Sequence, residues 1–420
     1  METGICIIGA GPAGLMAAIY AARTGVPTTL VEANAKPGRK LLLTGGGRCN
    51  FTHVGAPEEI AQAFGKPGRF LRYSFHELPP DDIIEFFRAR GVPSTVEPDG
   101  CVFPAGNKAA DVLTVLLREA QALSVHFLYD TPVTRVQAQD GGFTAHTNAE
   151  SILARCLIIA TGGVTWPQTG STGDGYRFAA ALGHTIIPPK PALVPLVTRE
   201  RWVGDLAGIS LPQVKMQAVA GKRRITLVGP MLFTQDGIGG PTVLDLSRLV
   251  ADELAEGKQD IATRIDIASQ LDEPEFDRQF QASIQAHPKR AVASVLSEFV
   301  PRQLARVLCD LAQCDCSSQV GQLKAEPRRR LIASIKGLPL TITGTAPMEK
   351  ATVTRGGVST EEIEPQTMES QIRPGLFFAG EVIDVDGPCG GYNLQMCWST
   401  GALAGHSATH ALLSASPPTS

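Results

Sequence analysis

The sequence predicts an α/β fold built from both ends of the chain and interrupted by an insert of different composition. Three observations carry this. A short apolar run, Ile5-Cys6-Ile7-Ile8, leads at once into a glycine-rich turn and a helical stretch reaching about Arg23. Glycine, 43 of 420 residues, is concentrated before residue 190 and after residue 336, and between residues 258 and 335 only Gly321 occurs. Apolar residues make 43% of the chain and charged ones 19%, which excludes a disordered chain and leaves enough apolar side chain for more than one core.

The first element needs care, because Gly4 to Ala22 carries no charge over 19 residues, long enough to span a bilayer. Gly9, Gly11, Pro12 and Gly14 interrupt it, and Met1-Glu2-Thr3 offers an acid where a signal peptide has a positive region. A buried strand, a tight turn and a buried helix fit better than a membrane segment. The nine cysteines are scattered and odd in number, as expected of reduced thiols in a cytoplasmic protein. Cys309, Cys314 and Cys316 lie together, but no further ligand stands at zinc-site spacing, so no metal is expected. A net charge of −3 and a pI near 6.3 give no footprint for nucleic acid or an anionic membrane, so a small-molecule partner is expected instead.

The insert is expected over 191–335, entered through Pro188, Pro189, Pro191 and Pro195. Its part 191–250 reads as β-rich and 251–335 as mainly helical, with Leu304, Val307, Leu308 and Leu311 at helical spacing. Residues 1–190 and 336–420 form the two parts of the glycine-rich domain, and a Ser/Pro-rich tail follows Leu413.

Gly9-Ala10-Gly11-Pro12-Ala13-Gly14 sits between the first strand and the first helix, and Thr28-Thr29-Leu30-Val31 then runs into Glu32 and Ala33. This strand, turn, helix, strand and acid in register is the context that a Rossmann dinucleotide fingerprint requires. The first glycine makes the turn, the second admits a pyrophosphate, and the third packs helix on strand. The pyrophosphate would meet the free N–H groups of the helix N-terminus, and Glu32 would accept from a ribose.

A second glycine loop follows, Thr44-Gly45-Gly46-Gly47-Arg48-Cys49-Asn50, after Pro37-Gly38-Arg39-Lys40. Consecutive glycines expose successive N–H groups, an anion-binding nest, and Arg39, Lys40 and Arg48 add positive charge. An extended FAD needs such a second loop where NAD alone does not. Three further segments suit the same cofactor. Val133 opens a strand whose backbone could pair with adenine; Leu157-Ile158-Ile159 runs into Ala160-Thr161-Gly162-Gly163; and Leu376-Phe377-Phe378 runs into Ala379, Gly380 and Glu381. Beyond them come Asp384, Asp386, Gly390, Gly391, Tyr392, Asn393 and Leu394, then a small-residue helix whose N-terminus could favour negative charge on a reduced flavin.

Together these residues resemble a bacterial family of NAD(P)/FAD-dependent oxidoreductases that includes aminoacetone-oxidase-like and 3-dehydro-bile-acid delta-4,6-reductase-like flavoproteins. The matching pieces are Gly9–Gly14, Gly38-Arg39-Lys40, Gly45–Asn50, Thr172–Tyr176, Leu232-Phe233-Thr234 with Gly237–Pro241, Thr354–Val358, Thr367–Ser370, Gly380–Gly387 and Gly391–Leu394. The likeness implies a Rossmann-like FAD-binding domain of the fumarate-reductase/glutathione-reductase type, with an insert that is part β-barrel and part helical. Cys101 departs from it, standing where an arginine is expected.

Fold and cofactor narrow the reaction without fixing it. The chain lacks a second GxGxxG and a CxxxxC pair, both expected of a disulfide reductase. The leading expectation, from the resemblance, is reduction of a polarised C=C bond in a small hydrophobic substrate, hydride passing through flavin N5 and NAD(P)H docking transiently as donor. Oxidation of an amine or amino-ketone by oxygen, and redox sensing without turnover, are the alternatives. No catalytic acid is assigned. Tyr392 and Asn393 orient substrate or flavin carbonyls or cap the last helix; Asp384 and Asp386 hold ribityl hydroxyls or close a turn. Cys49, beside Arg48, has either a depressed thiol pKa or a backbone contact to FAD. His184 reads as a helix-terminal residue, and Trp166 and Trp202 as core or pocket lining.

Overall fold

The computed structural model describes residues 1–255 and 260–414; most of the Ser/Pro-rich tail lies outside them. The chain divides into two compact units, Met1–Pro191 with Thr352–Ser420, and Ala192–Ala351.

The first unit is built on a seven-stranded sheet. Glu2–Ile8 pairs in parallel with Thr28–Val31 on one side and Ser151–Ile159 on the other. Thr28–Val31 pairs onward with His126–Leu128, and Ser151–Ile159 with Leu376–Phe378, both in parallel. Ile5, Cys6 and Ile7 are fully buried, which is why the run has no polar alternation: both faces of a parallel sheet are covered. Gly142–Thr147 and Val133–Gln139 add an antiparallel hairpin beside Ser151–Ile159. The uncharged stretch at the N-terminus is thus strand, turn and the helix Pro12–Ala22, and no helix among the described residues is long and apolar enough to cross a membrane.

Pro12–Ala22 packs on the C-terminal helix Tyr392–Ser414 through small residues. A Cβ added at Gly401 would lie 2.4 Å from the Ala13 carbonyl oxygen, and one at Gly405 2.3 Å from that of Ala17. The last helix is therefore seated against the first, and its N-terminus is fixed in turn.

The second unit is a closed six-stranded barrel with helices. Leu196–Thr198, Gly237–Gly239, Arg223–Thr234, Ser210–Ala220, Ile261–Asp266 and Leu338–Thr345 follow one another around it. Two boundaries differ from the sequence expectation. The insert extends to Ala351, because Leu338, Leu340 and Ile342 alternate inward and Leu338–Thr345 closes the barrel against Leu196–Thr198. The expected helical part 251–335 also contains the barrel strand Ile261–Asp266, and the β-rich part contains most of the helix Pro241–Ala255. Arg302–Leu311 is helical, with Leu304 and Leu308 buried but Leu311 39% exposed, so the apolar stripe stops one turn early.

Candidate functional site

All the candidate cofactor-binding residues lie in the first unit, where four turns leave the carboxyl edge of the parallel strands. Ile8, Val31 and Ile159 stand side by side in the sheet, and Phe378 pairs with Ile159. Gly9, Glu32, Ala160 and Ala379 therefore begin adjacent loops, the position at which α/β sheets place ligands. Gly9 has a φ of 106°, and a Cβ on Gly14 would lie 1.8 Å from the Gly9 carbonyl oxygen, so neither tolerates a side chain. Gly11 faces open space, with nothing within 4 Å of an added Cβ. Pro12 and Ala13 start the helix with its unpaired N–H groups at this turn.

Glu32 is buried, and its carboxylate ties the turn together. Oε2 accepts from the Ala10 N–H at 2.8 Å; Oε1 accepts from the Asn34 N–H at 2.9 Å and from Asn34 Nδ2 at 2.6 Å. Asn34, which the sequence reading missed, also accepts from Arg39 Nη1 at 2.6 Å. An Asn two residues after the strand-ending acid is the signal that could have exposed it, since such side chains bond to nearby backbone. Ala33 between them is exposed.

In the second loop, Gly45, Gly46 and Gly47 have φ of 56°, 67° and 89°, followed by Cys49 at 66°. Gly46 faces open space like Gly11. Of the three expected cations, Lys40 and Arg48 are already paired. Lys40 Nζ pairs with Glu381 Oε2 at 2.7 Å and donates to Thr165 Oγ1 at 2.7 Å, while Glu381 Oε1 accepts from the Thr354 N–H at 2.8 Å. Arg48 pairs with Glu97 at 2.7 Å and lies over the Phe103 ring at 3.9 Å. Both cations meet carboxylates from distant segments, which the sequence alone does not bring together. Nor is Cys49 activated by Arg48: burial pushes its thiol up to about 12. Asn50 Oδ1 is buried with no hydrogen-bond partner.

The C-terminal segment closes on this loop. A Cβ on Gly391, whose φ is 91°, would lie 2.2 Å from the Thr52 carbonyl oxygen and 2.7 Å from Asn50 Oδ1. Thr52 Oγ1 donates to Gln395 Oε1 at 2.5 Å and Trp398 Nε1 to the Phe51 carbonyl at 2.8 Å, which pins the start of the last helix beside residues 50–52. Tyr392 stacks on His53 with centroids 4.6 Å apart, and Leu394 is half-buried against the core. The Asn393 amide is engaged within its own loop, accepting from the Gly387 N–H at 2.8 Å and donating to the Gly387 and Pro388 carbonyls at 3.0 and 3.2 Å. Asp386 pairs with Arg355 at 2.9 Å and Asp384 accepts from the Gly356 N–H at 2.9 Å, so both carboxylates hold neighbouring chain. Gly380 donates to Thr400 Oγ1 at 2.9 Å.

Val133 is buried at the start of its strand, next to Thr131, whose N–H donates to the Glu32 carbonyl at 3.0 Å. Ala160 backs onto Gly9, Thr161 is half-buried, and Gly162 has a φ of 74°. His184 stands apart, buried against Ser370 Oγ at 2.7 Å with burial holding its pKa down. Trp166 adopts a left-handed conformation and Trp202 packs on Phe233 in the second unit. Among the described residues no group of three or more His, Cys, Asp or Glu could hold a metal ion.

These features suit a large extended ligand. Gly11 and Gly46 leave room where side chains would stand, and Asn50 presents a buried acceptor that awaits a donor. The family described as HI0933-like protein Rossmann domain matches residues 3–407. The 3-dehydro-bile acid delta(4,6)-reductase of Clostridium scindens is 32% identical over 96% of this chain and 98% of its own length. The ribosomal RNA dihydrouridine synthase of Escherichia coli is 30% identical over 94% of this chain and 95% of its own. In fold, the chain is similar to the quinol fumarate reductase subunit FrdA of E. coli, at 18% identity and a TM-score of 0.53, covering 100% of this chain and 72% of that one. The protein belongs to the HI0933-like Rossmann family of FAD-binding oxidoreductases.

Proposed function

We propose that this protein reduces a C=C bond conjugated to a carbonyl, with FAD held along the carboxyl edge of the first unit's sheet. The observation that carries the reaction is shared by two relatives that match nearly the whole chain. One is named a delta(4,6)-reductase and the other a dihydrouridine synthase, and both names describe saturation of a ring C=C bond. Their ring substrates differ, but each places that bond in conjugation with a carbonyl.

In this reading the turn Gly9–Gly14 and the helix start at Pro12 and Ala13 receive the pyrophosphate, and Glu32 with Ala33 faces the adenosine ribose. Val133 lies toward adenine, while Ala160, Thr161 and Gly162 line the middle of the cofactor. Arg39, Lys40 and the loop Gly46-Gly47-Arg48-Cys49-Asn50 border it with Gly380, Glu381 and Asp386. The backbone of Gly391, Tyr392, Asn393 and Leu394 brings the positive end of a helix to the redox ring. Bound FAD supplies the two-electron hydride carrier; the chain's own part is to orient the ring and exclude water. NAD(P)H is the proposed electron donor, docking transiently.

The substrate is a small hydrophobic enone in the first reading. The rRNA relatives support a second, a uracil base, and the chain's near-neutral charge does not exclude it. Amine oxidation and sensing without turnover draw no support from the relatives named above. An anaerobic titration tests the proposal. The purified protein should be yellow, bleach with NADPH or NADH, and regain its colour when a conjugated enone or uridine-containing RNA is added. A colourless protein, or a reduced one reoxidised only by oxygen, would refute it.

A further inference from the structure

The helix Gly68–Glu77 carries a local concentration of positive charge that the net charge of −3 conceals. Arg69, Arg72, Tyr73 and His76 follow i, i+3, i+4, i+7 spacing and share one exposed face, and the exposed Lys66 stands just before it. Leu71, Ser74 and Phe75, on the opposite face, are fully buried. His76 lies 3.0 Å from Glu58, which matches its charge when it is protonated. Lys66, Arg69 and Arg72 have no carboxylate partner among the described residues. Elsewhere in the first unit Arg48, Arg88, Arg90 and Arg177 each have one, between 2.6 and 2.8 Å away. The acids nearby in sequence are engaged or lie beyond the helix. Glu59 caps the Ala56 N–H at 2.9 Å, Glu77 lies 2.9 Å from His406 Nδ1, and Asp81 and Asp82 begin the next helix, Pro80–Arg88.

These cations do not serve the helix they stand on, since its first turn has no acid and positive charge there opposes the helix dipole. Tyr73 adds an aromatic plane. Its side chain is 47% exposed, and its hydroxyl accepts from Gln366 Nε2 at 3.4 Å, which steadies the ring. Guanidinium groups beside an exposed ring suit a single nucleic-acid strand, phosphates on the cations and a base on the ring. The face is also fixed beside the candidate cofactor site. The Leu78 carbonyl, just past the helix, accepts from Gln395 Nε2 at 2.8 Å and Ser399 Oγ at 2.7 Å, near the start of the helix Tyr392–Ser414. Phe75, on the buried face, meets Phe64 at 5.5 Å, and Phe64 meets Tyr392 at 6.4 Å.

We propose that this face holds the backbone of a single-stranded RNA segment, with Lys66, Arg69 and Arg72 on its phosphates and Tyr73 under a base. The proposal rests on the uracil form of the reductase reading above and names the partner: a base presented on a strand rather than a free ring. An anionic lipid surface would meet the same charge. Such a surface also calls for apolar side chains to insert, and Leu71 and Phe75 are buried in the protein instead.

Fluorescence anisotropy with a labelled oligouridylate tests it on the oxidised FAD-loaded protein, with no electron donor, so that binding is read apart from turnover. Wild type should bind with an affinity that falls steeply as salt rises. The triple variant Lys66→Gln/Arg69→Gln/Arg72→Gln should flatten the slope of log K against log salt by about 2, at about 0.7 per phosphate contact on a single strand. Arg69→Lys/Arg72→Lys keeps the charge and should keep the slope. Tyr73→Ala should weaken binding about tenfold at an unchanged slope, the loss of one base stacked on a ring. Lys222→Gln/Arg224→Gln, at exposed positions of the second unit, should bind as wild type does. Flavin content equal to wild type checks that each variant is folded. No RNA binding by wild type, or a loss in the Lys222→Gln/Arg224→Gln control equal to that in the triple variant, would overturn the proposal. So would a triple variant that releases phosphatidylserine vesicles yet binds RNA as wild type does. RNA binding that needs this face, without dihydrouridine formation once the flavin is reduced, would count against the uracil reading and leave the face standing.

Discussion

Replacing Gly405 by alanine sets two physical effects against each other. Gly405 lies inside the helix Tyr392–Ser414, where alanine is favoured over glycine by about 1 kcal/mol on helix propensity alone. The structure predicts the opposite sign. The new Cβ would stand 2.3 Å from the Ala17 carbonyl oxygen, and that oxygen belongs to backbone that cannot rotate away. Relief requires the helices to part by roughly 0.7–1 Å, and a gap of that size forfeits about a quarter to a half of the dispersion contact along the seam. The seam is continuous: Ala13, Ala17, Ala21, Ala404 and Ala408 are buried, and Thr409 Oγ1 donates to the Ala21 carbonyl at 3.1 Å. Overpacking of this kind costs about 1–3 kcal/mol, and more against backbone, so Gly405→Ala should be net destabilising by about 1–3 kcal/mol. The assay is urea unfolding followed by circular dichroism and flavin release, because the two compact units need not melt together. Gly401→Ala, nearer the helix start, should weaken cofactor retention as well. A Gly405→Ala variant about 1 kcal/mol more stable than wild type would show that propensity governs the position and that the close seam was misread.

Three further outcomes are expected. Glu32→Ala leaves the Ala10 and Asn34 N–H groups without their acceptor and should weaken FAD retention by about 1–3 kcal/mol, measured by equilibrium dialysis; unchanged affinity would remove Glu32 from the ribose site. Asn393→Asp keeps the acceptor for the Gly387 N–H but loses both donors, so it should destabilise the first unit by about 1–3 kcal/mol in urea melts. Burial pushes the Cys6, Cys49 and Cys156 thiols up to about 12. A folded value above the unfolded one means that this stability is intact below about pH 8.5 and is lost as pH rises toward about 12, at about 1.4 kcal/mol per unit and thiol. Cys156→Ala should therefore show a shallower alkaline loss of stability than wild type, and Cys6, Cys49 and Cys156 should resist thiol reagents at pH 8 in the native protein, where the half-exposed Cys314 and Cys316 react first; rapid labelling of Cys49 would contradict the burial argument.

What the sequence made legible was what local spacing encodes. Gly9, Gly14 and Glu32 are close in the chain, and their roles follow from sterics that act over a few residues. The barrel was half legible: alternation marks Ser210–Ala220, but Leu338–Thr345 sits in a segment whose glycine content groups it with the other unit, and only pairing with Leu196–Thr198 reassigns it. Charge was misread for the same reason. Lys40 and Glu381 are 341 positions apart, and nothing in either neighbourhood announces the 2.7 Å pair. Once Lys40 and Arg48 are matched by carboxylates, Arg39 remains the loop cation with no carboxylate partner among the described residues, its contact being the neutral Asn34 side chain. The field that would receive a pyrophosphate therefore comes mainly from oriented backbone N–H groups, at the start of Pro12–Ala22 and along Gly45–Gly47, rather than from side-chain charge. A chain that relies on backbone dipoles at that point needs glycine in quantity and little charge.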